Sequence, residues 1–212
     1  MLTGPELAPK SGNVKRAVIF LHGYGSNGDD LFGLAPMMML PDTQFLSPNA
    51  PFGFEMYPGG YQWFGLADRD PVRILKEILV AAPILNAFIN ATIARLGITD
   101  SDVALVGFSQ GSMMSMYTAL RRPKPLAGVV AISGALKGDA LLTAEIKSRP
   151  PICIIHGTAD DVVSFKEMGF AEEILKSNNV PVESYARPGL GHGIDEEGIA
   201  ISNRFLKKVF KL

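Results

Sequence analysis

An α/β fold, a mostly parallel sheet with helices on both faces, is predicted for this 212-residue chain by three observations. Short apolar runs alternate with longer helix-patterned stretches, the order that builds parallel strands joined by crossover helices. Most of those runs are continuously apolar, which suits strands buried on both sides. Between one such run and one helical stretch lies Gly107-Phe108-Ser109-Gln110-Gly111, a sharp turn of the kind that lifts a serine above the end of a sheet.

The strand candidates, in order, are Ala17 to Leu21, Thr43 to Ser47, Val103 to Phe108, Gly128 to Ile132, Ile152 to Ile155 and Val182 to Ala186. Helices are predicted near Asp29 to Met38, Val72 to Leu96, Gln110 to Arg121, Phe165 to Ser177 and Glu196 to Lys211. Pro83 falls inside the second of these and is expected to kink or split it, because proline lacks the N–H that an interior turn uses. No internal repeat or low-complexity linker interrupts the pattern, so one domain spanning residues 1–212 is expected. The connection from Pro48 to Pro71 is long and aromatic, carrying Phe52, Phe54, Tyr57, Tyr61, Trp63 and Phe64. Long connections are uncommon and usually functional. Tyr61, Trp63 and Phe64 are therefore candidates for the wall of an apolar pocket, a role compatible with the loop folding onto the core.

Composition narrows the function classes. Hydrophobic residues make up 47% and the mean hydropathy is +0.19, enough apolar material for a sizeable core. A net charge of −1 and a pI near 6.3 leave no basic footprint for phosphates, so no nucleic-acid partner is expected. Cys153 is the single cysteine and sits inside Ile152-Cys153-Ile154-Ile155, which excludes an intrachain disulfide and reads as a buried thiol. No apolar stretch approaches the length of a membrane span, and the first residues lack a basic flank followed by an apolar core. A cytoplasmic protein with no stable membrane insertion is the expectation.

A serine hydroxyl needs an adjacent base to become a nucleophile, and the base needs an acid to hold its tautomer. The chain offers three histidines, His22, His156 and His192. In hydrolases with a serine on such a turn, the order along the chain is nucleophile, acid, base. His192, in Pro188-Gly189-Leu190-Gly191-His192-Gly193-Ile194, is the histidine with an acid candidate between it and Ser109. His156 ends a strand and is expected to hold the following loop by hydrogen bonds. That loop, Thr158-Ala159-Asp160-Asp161-Val162-Val163, supplies two adjacent carboxylates at the C-terminal edge of the sheet, where open α/β sheets gather their sites. Composition does not choose between Asp160 and Asp161. An oxyanion hole needs two backbone N–H donors. Gln110 follows the nucleophile at the start of its helix, and Tyr24 lies in the turn His22-Gly23-Tyr24-Gly25 after an early strand.

Phe20-Leu21-His22-Gly23-Tyr24-Gly25, Ser47-Pro48-Asn49-Ala50-Pro51, Gly107 to Gly111, His156 to Val163 and Gly191-His192-Gly193-Ile194, in this order, resemble the phospholipase/carboxylesterase family of α/β-hydrolases, which includes acyl-protein thioesterases. The resemblance runs from about Ala17 to the C-terminus. It implies that the acid lies in a His-Gly-x-x-Asp-x-x-Val arrangement, matched by Asp160 and Val163, and so prefers Asp160 over Asp161. The implied site is Ser109, Asp160 and His192. Three departures concern substrate preference: Tyr24 stands where relatives often have leucine, Ser164 where they often have proline, and Gly193 where they often have glutamate.

The function expected is that of a serine carboxylesterase cleaving short- to medium-chain carboxylic esters through an acyl-enzyme, with no metal or organic cofactor. Rival readings are an acyl-thioesterase or lysophospholipase using the same three residues, and a non-catalytic ligand-binding relative. The expected partner is a small-molecule ester, and the resemblance leaves a homodimer open.

Overall fold

In the computed structural model, which describes residues 2–66, 68 and 70–212, a short edge strand Glu6–Leu7 (β1) precedes the apolar strand Arg16–Leu21 (β2). Helix Gly28–Phe32 (α1), strand Thr43–Leu46 (β3) and the small hairpin Phe52–Gly53 (β4) with Tyr61–Gln62 (β5) follow. Next come helix Pro71–Leu96 (α2), strand Val103–Phe108 (β6), helix Gln110–Arg121 (α3) and strand Gly128–Ile132 (β7). The chain closes with Asp139–Glu145 (α4), Ile152–Gly157 (β8), Lys166–Ser177 (α5), Val182–Arg187 (β9) and Glu196–Val209 (α6). Seven strands form one sheet in the order β1-β3-β2-β6-β7-β8-β9, all pairs parallel except the antiparallel β1–β3 edge.

Successive side chains on a strand point to opposite faces, so each continuous apolar run supplies two cores at once. Ala17, Ile19 and Leu21 pack with α2, α3 and α5 on one face, while Val18 and Phe20 pack with α1 and α6 on the other. Phe20, Ile78, Leu105 and Met114 are fully buried, and each contributes about 1.5–3 kcal/mol by leaving water. Among the described residues this mostly parallel α/β sheet has no large lid inserted between its strands and helices.

Several elements differ from their sequence pattern. The predicted helix over residues 29–38 is α1 followed by a separate 3₁₀ turn, Ala35–Met37. Gly33 ends α1, and Pro36 has no N–H to continue the ladder. Conversely, α2 runs unbroken through Pro83. Pro83 and Leu79 both lie on the exposed side, so the carbonyl that loses its helical partner faces water instead of the core. The elements β1, β4, β5 and α4 carry no apolar run long enough to announce them.

Candidate active site

Ser109 lies between β6 and α3 with φ 52° and ψ −116°, a backbone conformation that side chains rarely adopt. Such strain costs of order 1–3 kcal/mol and persists where the surroundings impose it. Here the Ser109 N–H is tied to the Ile132 carbonyl of β7 at 2.9 Å. At the second residue of α3, a Cβ on Gly111 would overlap the Leu21 carbonyl oxygen of β2. Glycine there lets the helix start close against the sheet.

His192 and Asp160 meet directly. The His192 Nδ1–H donates to Asp160 Oδ2 at 2.8 Å, and Asp160 Oδ1 accepts the backbone N–H groups of Val162 at 3.0 Å and Val163 at 2.9 Å. Burial pushes the Asp160 carboxyl up, but the hydrogen bonds from His192, Val163 and Val162 outweigh it and hold the acid below the usual carboxylate range. Asp161 is exposed. The loop bearing His192 is fastened to the acid turn by Ala159 N–H to the Leu190 carbonyl and Gly189 N–H to the Thr158 hydroxyl, both 2.9 Å. Gly157 permits this, since a Cβ there would collide with the carbonyls of Leu190 and Gly191.

The base of the same loop is clamped by Asp195. Its Oδ2 accepts from Arg187 Nε at 3.0 Å, while its Oδ1 accepts the Gly198 N–H at 2.8 Å and caps α6. Asp195→Ala is expected to destabilise the fold by about 1–2 kcal/mol through loss of the cap. Its kcat/KM is also expected to fall. Thermal melts and ester kinetics check the pair of effects, and an unchanged melting temperature would contradict the clamp.

Ser109 and His192 both border one cavity of about 560 Å³, together with Tyr24 and Gln110. Among the described residues the Ser109 hydroxyl makes no hydrogen bond to His192; in resting sites this contact is often long and closes on substrate binding. Among the described residues the Tyr24 and Gln110 backbone N–H groups donate to no protein acceptor, which leaves both free for an oxygen in the cavity.

The Gln110 side chain does work that the sequence did not disclose. Its Oε1 accepts the Trp63 N–H at 2.8 Å and its Nε2 donates to the Phe64 carbonyl at 2.6 Å. The Trp63 indole N–H in turn donates to the His22 carbonyl at 3.0 Å. His22 Nε2 accepts the Ala50 N–H at 2.9 Å, which places the ring proton on Nδ1, facing the Gly23 carbonyl at 2.7 Å. Burial pushes the His22 imidazole below its ordinary value, consistent with this neutral form. The turn holding Tyr24 is thus braced by side chains from three segments. The one sequence signal for this network was the Gln that follows Ser109.

A match to the phospholipase/carboxylesterase family model covers residues 2–210. The chain belongs to that family. It is 29% identical to acyl-protein thioesterase 1 of Neurospora crassa, over 95% of this chain and 90% of that protein. It is 28% identical to a probable carboxylesterase of Oryza sativa subsp. japonica, over 99% of this chain and 84% of that protein. Among solved structures, esterase PE8 superposes with a TM-score of 0.95 at 40% identity, covering 98% of this chain and 99% of that one.

In this phospholipase/carboxylesterase chain the expected pocket wall needs correction. Trp63 and Phe64 are completely buried, and neither they nor Tyr61 line the cavity beside Ser109. The Gln110 clamp draws the Trp63–Phe64 backbone inward, so these rings pack into the core instead. The apolar lining comes from Leu66, Ile74, Met113, Ala135 and Val163. Tyr24 does border the cavity, with its ring edge-on to Phe54 at 4.9 Å. A second cavity of about 560 Å³, between the β4–β5 hairpin and α2, is lined by Phe52, Gln62, Arg73 and Glu77 and contains none of the candidate residues. Cys153 is buried on β8 with its thiol pushed up to about 12, chiefly by burial, which makes it inert as a nucleophile. No described helix is long and apolar enough to cross a membrane.

Proposed function

We propose that this member of the phospholipase/carboxylesterase family is a serine carboxylesterase that hydrolyses short- to medium-chain esters. The observation carrying the reading is the hydrogen-bonded geometry of His192 and Asp160 on the wall of the cavity that Ser109 borders. In this mechanism Asp160 fixes the proton of His192 on Nδ1, leaving Nε2 to take the Ser109 proton. Ser109 attacks the ester carbonyl, and the Tyr24 and Gln110 N–H groups receive the oxyanion. His192 then protonates the departing alcohol, and a water activated by the same imidazole hydrolyses the acyl-enzyme. The apolar lining supports an acyl substituent, and the moderate cavity supports the shorter chains.

A thioester reading is favoured by one finding, the Neurospora relative bearing the name acyl-protein thioesterase. The same acyl-enzyme forms, with a thiolate as leaving group. A panel of p-nitrophenyl esters, acyl thioesters and lysophospholipids of graded chain length separates these substrates. Labelling by a fluorophosphonate is the test of the shared chemistry: intact protein that is not labelled ends the enzyme reading and favours a ligand-binding relative.

Because the Asp160 carboxyl is held low, it stays ionised as the pH falls through the imidazole range. The acid limb of kcat/KM is then expected to come from protonation of the base and not of Asp160. A kcat/KM that does not fall on the acid side would remove His192 as the base.

A further inference from the structure

The aromatic connection between β3 and α2 folds against the turn that bears Tyr24. That turn spans residues 23–26 and is closed by the Ser26 N–H, which donates to the Gly23 carbonyl at 3.3 Å. Gly25 stands third in it with φ 75°, close to the value a type II turn demands at that position. A side chain there would crowd the Phe54 ring and the Tyr57 hydroxyl, each 3.2 Å from an added Cβ. Glycine lets both approach.

The upstream half of the turn is fixed by the His22 and Trp63 bonds described above, and the downstream half by the β4–β5 hairpin. The Gly25 N–H donates to the Tyr61 carbonyl at 2.9 Å, the Tyr61 N–H donates to the Ser26 carbonyl at 2.7 Å, and the Tyr57 hydroxyl donates to the Gly25 carbonyl. Gly60 makes room for this last bond, since a Cβ there would come within 2.6 Å of the Gly25 oxygen and 2.8 Å of the Tyr57 ring. Tyr57 also stands edge-on to Phe54 at 5.0 Å, and Phe54 is the ring that meets Tyr24. Yet Tyr57 is 52% exposed, so its ring adds little to the core, and it does not border the cavity beside Ser109. Whatever it does for the site passes through the turn.

We propose that Tyr57 is a positioning residue for the reaction, its hydroxyl holding the Gly25 carbonyl so that the Tyr24 N–H stays turned to the oxyanion. This rests on the reading of Ser109 and of the Tyr24 and Gln110 donors given above. An oxyanion donor is effective within about 2.7–3.1 Å of the place where the charge develops. Loss of the Tyr57 bond lets the turn tilt, and the Tyr24 N–H falls short of an oxygen that is charged only in the transition state. Ground-state binding draws on the apolar lining and is left alone.

Tyr57→Phe removes the hydroxyl and keeps a ring against Phe54. Its kcat on a p-nitrophenyl ester is expected to fall about 3- to 10-fold with KM little changed, less than the loss of a whole oxyanion donor brings. A trifluoromethyl ketone of the same acyl length tests the cause: Ser109 oxygen bonds to its carbonyl carbon, the serine proton passes to His192, and the ketone oxygen becomes an oxyanion. The Ki of this analogue is expected to rise by the same factor as kcat falls, because it follows the transition state. The matching amide binds without that bond and should keep its parental Ki. The acid limb of kcat/KM should also stay in place, since the contact between His192 and Asp160 is untouched. A parental Ki for the trifluoromethyl ketone, an amide Ki that rises in step with it, or a displaced acid limb would overturn the proposal. So would a variant without a cooperative melt, which would make the hydroxyl a support of the fold. A parent that the trifluoromethyl ketone does not inhibit removes the reading of Ser109 itself, whereas parent and variant inhibited alike reject only the role of Tyr57.

Discussion

Ser109→Ala is expected to lower kcat on p-nitrophenyl esters by a factor on the order of 10⁶, the scale seen when other serine nucleophiles are removed. The substitution deletes one oxygen at a residue that is already largely buried. Substrate binding should survive, because the cavity lining comes from other side chains. KM is accordingly expected to change little while kcat collapses. The backbone at this position is strained by its positive φ, and alanine carries the same strain as serine. Circular dichroism and the melting temperature should therefore stay close to those of the parent. A correctly folded alanine variant with near-parental turnover would falsify the assignment of Ser109.

Asp160→Asn is expected to reduce kcat by roughly 10⁴-fold, the scale reported for the equivalent change in a serine protease triad. The atoms explain the size. Asparagine can keep its Oδ1 on the Val162 and Val163 N–H groups, so the turn retains its shape. Its Nδ2 then stands where Oδ2 stood and presents a donor to His192 Nδ1. The imidazole must respond by carrying its proton on Nε2, and in that tautomer it cannot accept the Ser109 proton. The loss should appear in kcat, with fluorophosphonate labelling slowed in parallel. Asp161→Asn serves as the contrast, because Asp161 is exposed; activity near that of the parent is expected. If the two asparagine variants behaved alike, the choice of Asp160 would be wrong.

Local pattern carried much of the architecture. Continuous apolar runs marked β2, β6, β7 and β8, because strands buried on both faces have no polar side to present, while β3 and β9 carry polar residues and fit the same alternation with helices. It failed where local and tertiary preferences disagree. Pro83 would break an isolated helix, yet α2 accommodates it because the unpaired carbonyl is directed to solvent. Gly33 and Pro36 ended α1 early despite an apolar pattern that continued to Met38. Aromatic content in the long connection suggested a pocket wall, but aromaticity is equally what a core takes, and the Gln110 hydrogen bonds placed Trp63 and Phe64 there.

The sequence by itself determined which chemical groups were present and in what order: a serine on a strand-to-helix turn, carboxylates at a later strand end, and a histidine in a glycine-rich loop beyond them. Order and residue type are covalent properties and need no folding to be read. Only the tertiary structure decided that the His192 ring meets Asp160 across 32 residues of chain and that Asp161 stays in solvent. Those facts depend on hydrogen bonds a few ångströms long between loops whose separation is set by packed strands and helices, and no local pattern of apolar and polar residues encodes such distances.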